Sequence, residues 1–451
     1  MHAMHMDQVA RARYATRLRV VWGAGHCYFP GTVPKLDRVA VGIVTSNNLL
    51  QRIETDQRLS LVRAIQEQAT SFPYFRRIDS PVEPVTVVDG KKTIMFGSNN
   101  YLGLANRPEV VEAAVKATEQ FGAAMLGSRL YTGTTDLHLQ LESELAEWHH
   151  AEDAILFTTG YQTSIGAICG LLGSGDSVVV DSAIHTSIRD ACKLSGANVR
   201  TFKHNQLESL RSQLDWLAGR VGVTVVVVEG IYSMEGDAAP LAAIADMCED
   251  AGAALMVDEA HSIGLLGAER TGLAELCGIA DHVTIRMGTF SKALASTGGF
   301  IAGPRNLIDQ LRIGAHSFIF SMAAIPASVA AALAAVRITR SCEGAALAEA
   351  ALANAELLRS LLSERGVSAG GASAATDIAG SPIVSVVPRR ELGGLATWNR
   401  LLDEGIFTGL AAFPAVAPAR AILRMSVMAT HSPDMLQSAA DAVASVVAQS
   451  N

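Results

Sequence analysis

Lys292 stands in the run Gly288-Thr289-Phe290-Ser291-Lys292-Ala293-Leu294, directly after a strand-like stretch from His282 to Met287. An earlier apolar stretch, Ala253 to Val257, ends in Asp258-Glu259-Ala260-His261. A carboxylate at one strand end and a lysine after a later strand are what pyridoxal phosphate (PLP) chemistry requires. The amine condenses with the aldehyde, and the carboxylate pairs with the pyridine nitrogen so that the ring draws electrons. Taken singly, each feature reads as a surface lysine in a Ser/Thr loop and a strand-end aspartate. Taken together they call for a phosphate cradle, ring contacts and a substrate anchor elsewhere in the chain.

Those parts are present. Thr158-Thr159-Gly160-Tyr161-Gln162 follows a strand and opens a helix, where backbone N–H groups can cradle a phosphate and the glycine permits close approach. Alone, it is an ordinary strand-to-helix turn. Asp181-Ser182-Ala183-Ile184-His185 sets an imidazole just past the next strand, where it can stack on a pyridine ring. A lone histidine there is more often a structural hydrogen-bond donor. Glu229 to Asp237 is polar and glycine-punctuated where a valine-rich strand ends, which suits a site wall. Asp258 and His261 are three apart and can point into one cleft, toward the ring nitrogen and the phenolic oxygen. Thr289 and Ser291 can donate hydroxyl hydrogen bonds to the phosphate. Arg424, in Ile422-Leu423-Arg424-Met425-Ser426, lies inside an apolar strand. A guanidinium there is costly unless it binds an anion, and a substrate carboxylate held bidentately is the natural candidate. A structural salt bridge is the plainer alternative.

The elements that must position these residues are rhythmic. Strand-like runs at Ala154–Phe157, Ser177–Val180, Val223–Val228, Ala253–Val257 and Val283–Met287 alternate with helical spacers. That pattern predicts a mostly parallel sheet covered on both faces, with ligands beyond the carboxyl ends of the strands. Upstream, apolar positions at helical spacing predict an amphipathic helix from Leu49 to Gln68, broken by Phe72-Pro73-Tyr74-Phe75. Pro84 to Phe96 reads as a hairpin turning at Asp89-Gly90. The next helix opens at Asn106-Arg107-Pro108-Glu109, with Asn106 as its cap, and closes at Gly122. From about Ile338 an Ala/Leu-rich helical segment leads into a second α/β pattern that includes Pro382–Val387 and Ala421–Met428, with a loop at Ser368–Gly380. The expected division is an extension over residues 1–48, a helix and hairpin segment over 49–105, a large cofactor-binding domain over 106–337 and a small domain over 338–451.

Composition narrows the classes. The 451 residues are 49% hydrophobic, enough for a large core, and 36 Lys+Arg against 44 Asp+Glu give a net charge of −8. No basic run interleaved with aromatics suggests nucleic-acid binding. The six cysteines (27, 169, 192, 248, 277 and 342) lie far apart without a CxxC pair, which favours free thiols in a reducing cytoplasm over disulfides or a metal site. No apolar run approaches the roughly 18 residues of a membrane-spanning helix. Residues 1–48, with three Met in the first six, allow a disordered extension, a tag-like remnant or a start site placed too early.

The ordered set of motifs resembles the α-oxoamine synthase family of fold-type I PLP enzymes. The matching segments are Asn99–Leu104, Gly127-Ser128-Arg129, His185, Glu229–Asp237, Val257–Gly264, Gly288–Lys292 and Arg424–His431. The resemblance implies an aspartate-aminotransferase-like fold and a set of roles. Lys292 would be the cofactor-linked lysine and proton-transfer base, and Asp258 would pair with the ring nitrogen. His261 and Ser233 would contact the ring oxygen, and His185 would stack on the ring. Gly160, Tyr161 and Thr289 would hold the phosphate, and Asn99 and Arg424 the substrate carboxylate. Ser321 resembles a residue that reaches the phosphate of a neighbouring subunit, implying a homodimer with shared active sites.

The implied reaction is decarboxylative condensation of serine, alanine or glycine with an acyl thioester, from acyl-CoA or an acyl carrier protein, giving an α-amino ketone. Val257–Ser262, Gly288–Lys292 and Phe413–Ala419 are most similar to the bacterial serine palmitoyltransferase branch and related natural-product synthases. Met125 and Leu126 depart from the family, which usually has a second glycine or small polar residue there, and this bears on how the thioester enters. Two other readings share parts of the pattern: an aminotransferase on the same fold, and an inactive partner subunit of a heterodimeric synthase. The latter would be expected to lack Lys292.

Overall fold

The computed structural model describes residues 49–56, 59, 60, 62, 63, 66, 72–371, 380–388, 391–412 and 421–448. The 1–48 extension and the Phe413–Ala419 segment lie outside these residues. By itself, Leu49–Glu54 is a helix of 6 residues. Beyond it, the described residues 59, 60, 62, 63 and 66 of the helix expected to Gln68 are also helical; at the break the Thr55 hydroxyl bonds back to the carbonyls of Gln51 and Arg52.

From Phe72 onward the strands are β1 (Val85–Val88), β2 (Lys91–Met95), β3 (Asp153–Phe157), β4 (Ser177–Asp181), β5 (Asn198–Phe202), β6 (Thr224–Glu229) and β7 (Ala254–Asp258). They continue as β8 (Ile285–Thr289), β9 (Gly299–Gly303), β10 (Ala369–Gly370), β11 (Ile383–Val386), β12 (Ile406–Phe407), β13 (Gly409–Ala411) and β14 (Ile422–Ser426). Seven of them form one sheet in the order β3-β9-β8-β7-β6-β4-β5. β5, β4, β6, β7 and β8 run parallel, and β9 is antiparallel to both of its neighbours.

The central strands are apolar without alternation because both faces are covered. On β6, Val226 and Val228 pack into one core cluster while Val225 and Val227 pack into the other, on the opposite face. The polar residues then gather where the strands stop, at Asp181, Glu229, Asp258 and Thr289, on one edge of the sheet.

The C-terminal strands form an antiparallel sheet in the order β10-β11-β14-β13, whose apolar side joins Phe96, Trp398 and Val443 in a separate cluster. The expected hairpin is β1–β2; Asp89 (φ 47°) and Gly90 (φ 78°) both take left-handed conformations, as a two-residue turn of this hand requires. The following helix, Pro108–Phe121, closes at Gly122 as expected, but its N-cap is Arg107 and not Asn106. The Asn106 amide is used instead to donate to Glu83 at 2.7 Å. Among the described residues no helix is long and apolar enough to cross a membrane.

Candidate active site

Lys292 is delivered by the tight turn that leaves β8. The carbonyl of Lys292 accepts from Ala295 N–H, and Phe290 N–H donates to Gly298, so the turn folds back into β9. Its amine enters a cleft of about 380 Å³ at the carboxyl edge of the sheet, of a size that suits a small cofactor with its substrate. Asp258, His261, His185, Thr289, Gly160, Tyr161 and Asn99 line the same cleft. Residues up to 193 positions apart in sequence are thus brought to one place by the strand ends. Ser233 and Arg424 stand just behind: Arg424 Nε donates to the Ser233 carbonyl at 2.5 Å, and its Nη1 donates to Asn99 Oδ1 at 2.9 Å. Ser321 is elsewhere, beside Arg129 and Phe318, where its hydroxyl accepts from Gln162 Nε2 at 3.1 Å.

Burial dominates the electrostatics. It lowers the Lys292 pKa, with Arg424 adding to the effect and Asp258 and Glu229 opposing it. The amine therefore has access to its neutral, nucleophilic form. Burial raises the Asp258 carboxyl, while Lys292 and the Ala260 N–H, which donates to its Oδ1 at 3.0 Å, pull it down. The His261 ring is held well below its ordinary range by burial and by the nearby cations of Lys292 and Arg424. A neutral His261 can share a proton with the Tyr101 hydroxyl, 2.8 Å from its Nδ1. His185 caps the helix Thr186–Ser195; its Nδ1 lies 2.8 Å from Ser187 Oγ, which leaves the ring face open to the cleft.

The residues fit PLP. A buried amine with a depressed pKa suits condensation with an aldehyde, and a buried carboxyl gains its natural partner in a ring N–H. Gly160 and Tyr161 are the first two residues of the helix Gly160–Leu171, whose positive end suits a phosphate. Gly160 packs so closely on β8 that a Cβ there would lie 2.5 Å from Thr289 Cγ2.

Several residues of the site are given no role of their own by the sequence. Buried Tyr101 lies within hydrogen-bond reach of His261, Asn99 (3.2 Å) and Arg424 (3.2 Å). Its neighbours Asn99 and Asn100 signal the segment, but a tyrosine beside Leu102 reads as core. Glu229 accepts from the N–H groups of His185 (2.6 Å) and Ser233 (3.2 Å), and burial, reinforced by Asp258, raises its pKa well above the ordinary carboxyl range. Its position at the end of a valine-rich strand marks the Glu229–Asp237 segment as a site wall in the sequence, but gives the carboxylate itself no role. Ser426, two residues after Arg424, donates to Asn99 at 3.0 Å.

Comparison with known proteins agrees with this geometry. A family model described as aminotransferase class I and II matches residues 91–443. Serine palmitoyltransferase of Sphingobacterium spiritivorum is 37% identical over 395 residues, covering 87% of this chain and 96% of the relative. 8-Amino-7-oxononanoate synthase of Trichlorobacter lovleyi is 37% identical over 398 residues, covering 88% and 97%. A solved structure of SPT with PLP as its internal aldimine superposes with a TM-score of 0.84 at 30% identity, covering 89% of this chain and 99% of that one. The architecture is the fold-type I PLP transferase fold that the sequence implies. The chain belongs to the aminotransferase class I and II family and, within it, to the α-oxoamine synthases, PLP-dependent acyltransferases that condense an amino acid with an acyl thioester as carbon dioxide leaves.

Proposed function

We propose that this chain takes serine, alanine or glycine as the amino acid and receives the acyl group from acyl-CoA or an acyl carrier protein. The products are an α-amino ketone, carbon dioxide and the free thiol. The observation that carries this reading is the charge arrangement around Arg424. Among the described residues its guanidinium meets only neutral acceptors, on Ser233, Asn99, Ser426 and Tyr101, and no carboxylate. A cation held this way beside Lys292 suits a substrate carboxylate that supplies the missing charge.

PLP supplies an electron sink for the bonds broken at the substrate Cα. The protein's residues do the rest. Arg424 and Asn99 orient the carboxylate. Lys292, whose pKa burial lowers, would take the proton from Cα and later return one. Asp258 would pair with the ring nitrogen, His185 would stack on the ring, and His261 with Ser233 would contact its oxygen. Gly160, Tyr161 and Thr289 would hold the phosphate.

The 106–337 region then acts as the cofactor domain, with 338–451 supplying the carboxylate anchor. Ser321, which does not line the cleft of its own chain, is read as reaching the phosphate of a second copy in a homodimer. Five described cysteines, all free, support a cytoplasmic setting.

The test is an absorbance titration of the purified PLP-bound protein with glycine, L-alanine and L-serine, followed by acyl-CoA. The expected result is a visible cofactor band, absent in Lys292→Ala, that shifts with one amino acid and releases carbon dioxide on adding thioester. Absence of the band with PLP added overturns the reading. Keto-acid formation without carbon dioxide release assigns an aminotransferase instead.

A further inference from the structure

Three strands end beside one another at the edge of the site, and one side chain joins the loops that leave them. β5 is followed by Lys203-His204-Asn205, with Asn205 in a left-handed conformation (φ 54°) that turns the chain sharply. The His204 ring then sits between two carboxylates. Its Nδ1 lies 2.9 Å from Asp181 Oδ1, at the end of β4, and its Nε2 lies 3.0 Å from Asp237 Oδ2, in the loop that leaves β6. A neutral imidazole has one N–H and satisfies one such acceptor. Two carboxylates on opposite ring nitrogens require the doubly protonated imidazolium.

The neighbouring bonds lock the same three loops. Asn205 N–H donates to Asp181 Oδ2 at 2.9 Å, and the Asn205 amide donates to Asp237 Oδ2 and to the Ala238 carbonyl, both at 3.1 Å. Asp181 Oδ1 also accepts from Ala183 N–H at 2.7 Å. The Tyr232 ring meets the His204 ring edge-on at 4.5 Å. Both tied loops carry site residues. The Asp181 loop runs directly into His185. The loop ending at Asp237 contains Ser233, whose carbonyl holds Arg424, and Tyr232 N–H donates to the Asp237 carbonyl at 2.9 Å.

We infer that His204 is a positioning residue: a charged tie that sets the His185 ring face and the Ser233–Arg424 anchor at a common distance across the cleft. It touches neither cofactor nor substrate, and its action rests on the roles proposed above for His185 and Arg424. The charge balance agrees with the geometry. Burial opposes protonation, but the hydrogen bonds and fields of Asp181 and Asp237 outweigh it and raise the His204 pKa to about 10.

Two measurements test the tie. The first is the nitrogen NMR spectrum of histidine-labelled protein without cofactor, assigned by comparison with His204→Gln. His204 is expected to show two protonated ring nitrogens at pH 8; a single protonated nitrogen overturns the tie. The second is His204→Gln in the PLP-bound enzyme, with folding checked by its thermal transition. The amino-acid KM is expected to rise about tenfold with a smaller change in kcat, since sub-ångström misplacement is costly at a reacting centre. The circular dichroism of the bound cofactor is expected to change as the stacking ring moves. An unchanged KM and cofactor spectrum in a folded variant overturn the positioning role. If the parent protein shows no cofactor band, the functional reading fails on its own, and the NMR measurement still decides the tie.

Discussion

Arg424 shows how a single side chain separates a structural role from a functional one. An arginine inside an apolar strand could belong to a salt bridge, and the sequence leaves both readings open. The structure gives it four neutral acceptors and, among the described residues, no carboxylate. Arg424→Lys keeps the charge but gives up the planar fork, and hydrogen bonds to charged groups are worth about 1.5–3 kcal/mol. The amino-acid KM is therefore expected to rise about 10- to 100-fold while the cofactor band persists. Steady-state kinetics with absorbance spectra on the same sample decide this; an unchanged KM means that the carboxylate is held elsewhere. Lys292, Asp258, His185 and His261 were legible because strand-end polar residues interrupt long apolar runs. Tyr101 was not, because its hydroxyl joins Asn99, His261 and Arg424 while its ring is packed like any core aromatic, and sequence spacing does not reveal which end of a tyrosine faces a site.

At the scale of elements, the buried strands were the most legible, and their edges the least. β6 reads as Val-rich because both faces are covered. β5, Asn198–Phe202, lies at the sheet's edge with mostly exposed or half-buried residues, and its polar composition hides it. β9, interior and fully buried, is bounded by glycines and is absent from the strand-like runs of the sequence. The turn after β14 carries a different kind of information. His431 is buried and stacks on Phe96 at 4.4 Å; its Nδ1 accepts from Met428 N–H at 2.9 Å, and its Nε2 lies 3.2 Å from the carbonyl of Met95 on β2. That bonding needs the neutral ring, and burial lowers the His431 pKa to about 4, although the Met95 carbonyl favours the proton. The unfolded chain, with an ordinary histidine, takes up its proton first as pH falls. The stabilising effect is thus present above about pH 6.5 and is lost progressively toward pH 4. Between pH 7.5 and 5.0 this site should cost about 2 kcal/mol. In His431→Gln the fall in the thermal midpoint over that interval is expected to be smaller than in the parent protein. Equal falls would show that the histidine does not titrate with unfolding.

For the whole molecule, the open question is what covers the face formed by two loops beside the site. Ala323 N–H donates to the Gly127 carbonyl at 3.0 Å and joins the segments around residues 126–131 and 320–325. Both present large apolar side chains to solvent: Leu126 is 83% exposed, Tyr131 82%, Phe320 79% and Met322 62%. Leu126 holds a φ of 52°, a costly conformation for a leucine. Beneath them, Arg129 makes a buried bidentate pair with Glu142, 2.9 Å for each bond, and Glu142 also accepts from Leu156 N–H on β3. A rigidly supported apolar surface of this kind is the usual mark of an interface. Ser321 sits within it and does not line the cleft of its own chain, as expected of a residue serving a second copy's phosphate. The parent protein is therefore expected to sediment at twice the chain mass. Phe320→Glu places a charge at the centre of the contact and is expected to sediment as a single chain with weakened PLP retention. Sedimentation velocity and absorbance of the same fractions read both effects together. A parent protein that sediments as one chain removes the dimer. A single-chain Phe320→Glu that keeps its full cofactor band preserves the dimer but removes Ser321 from the phosphate, because the site would then be complete within one chain.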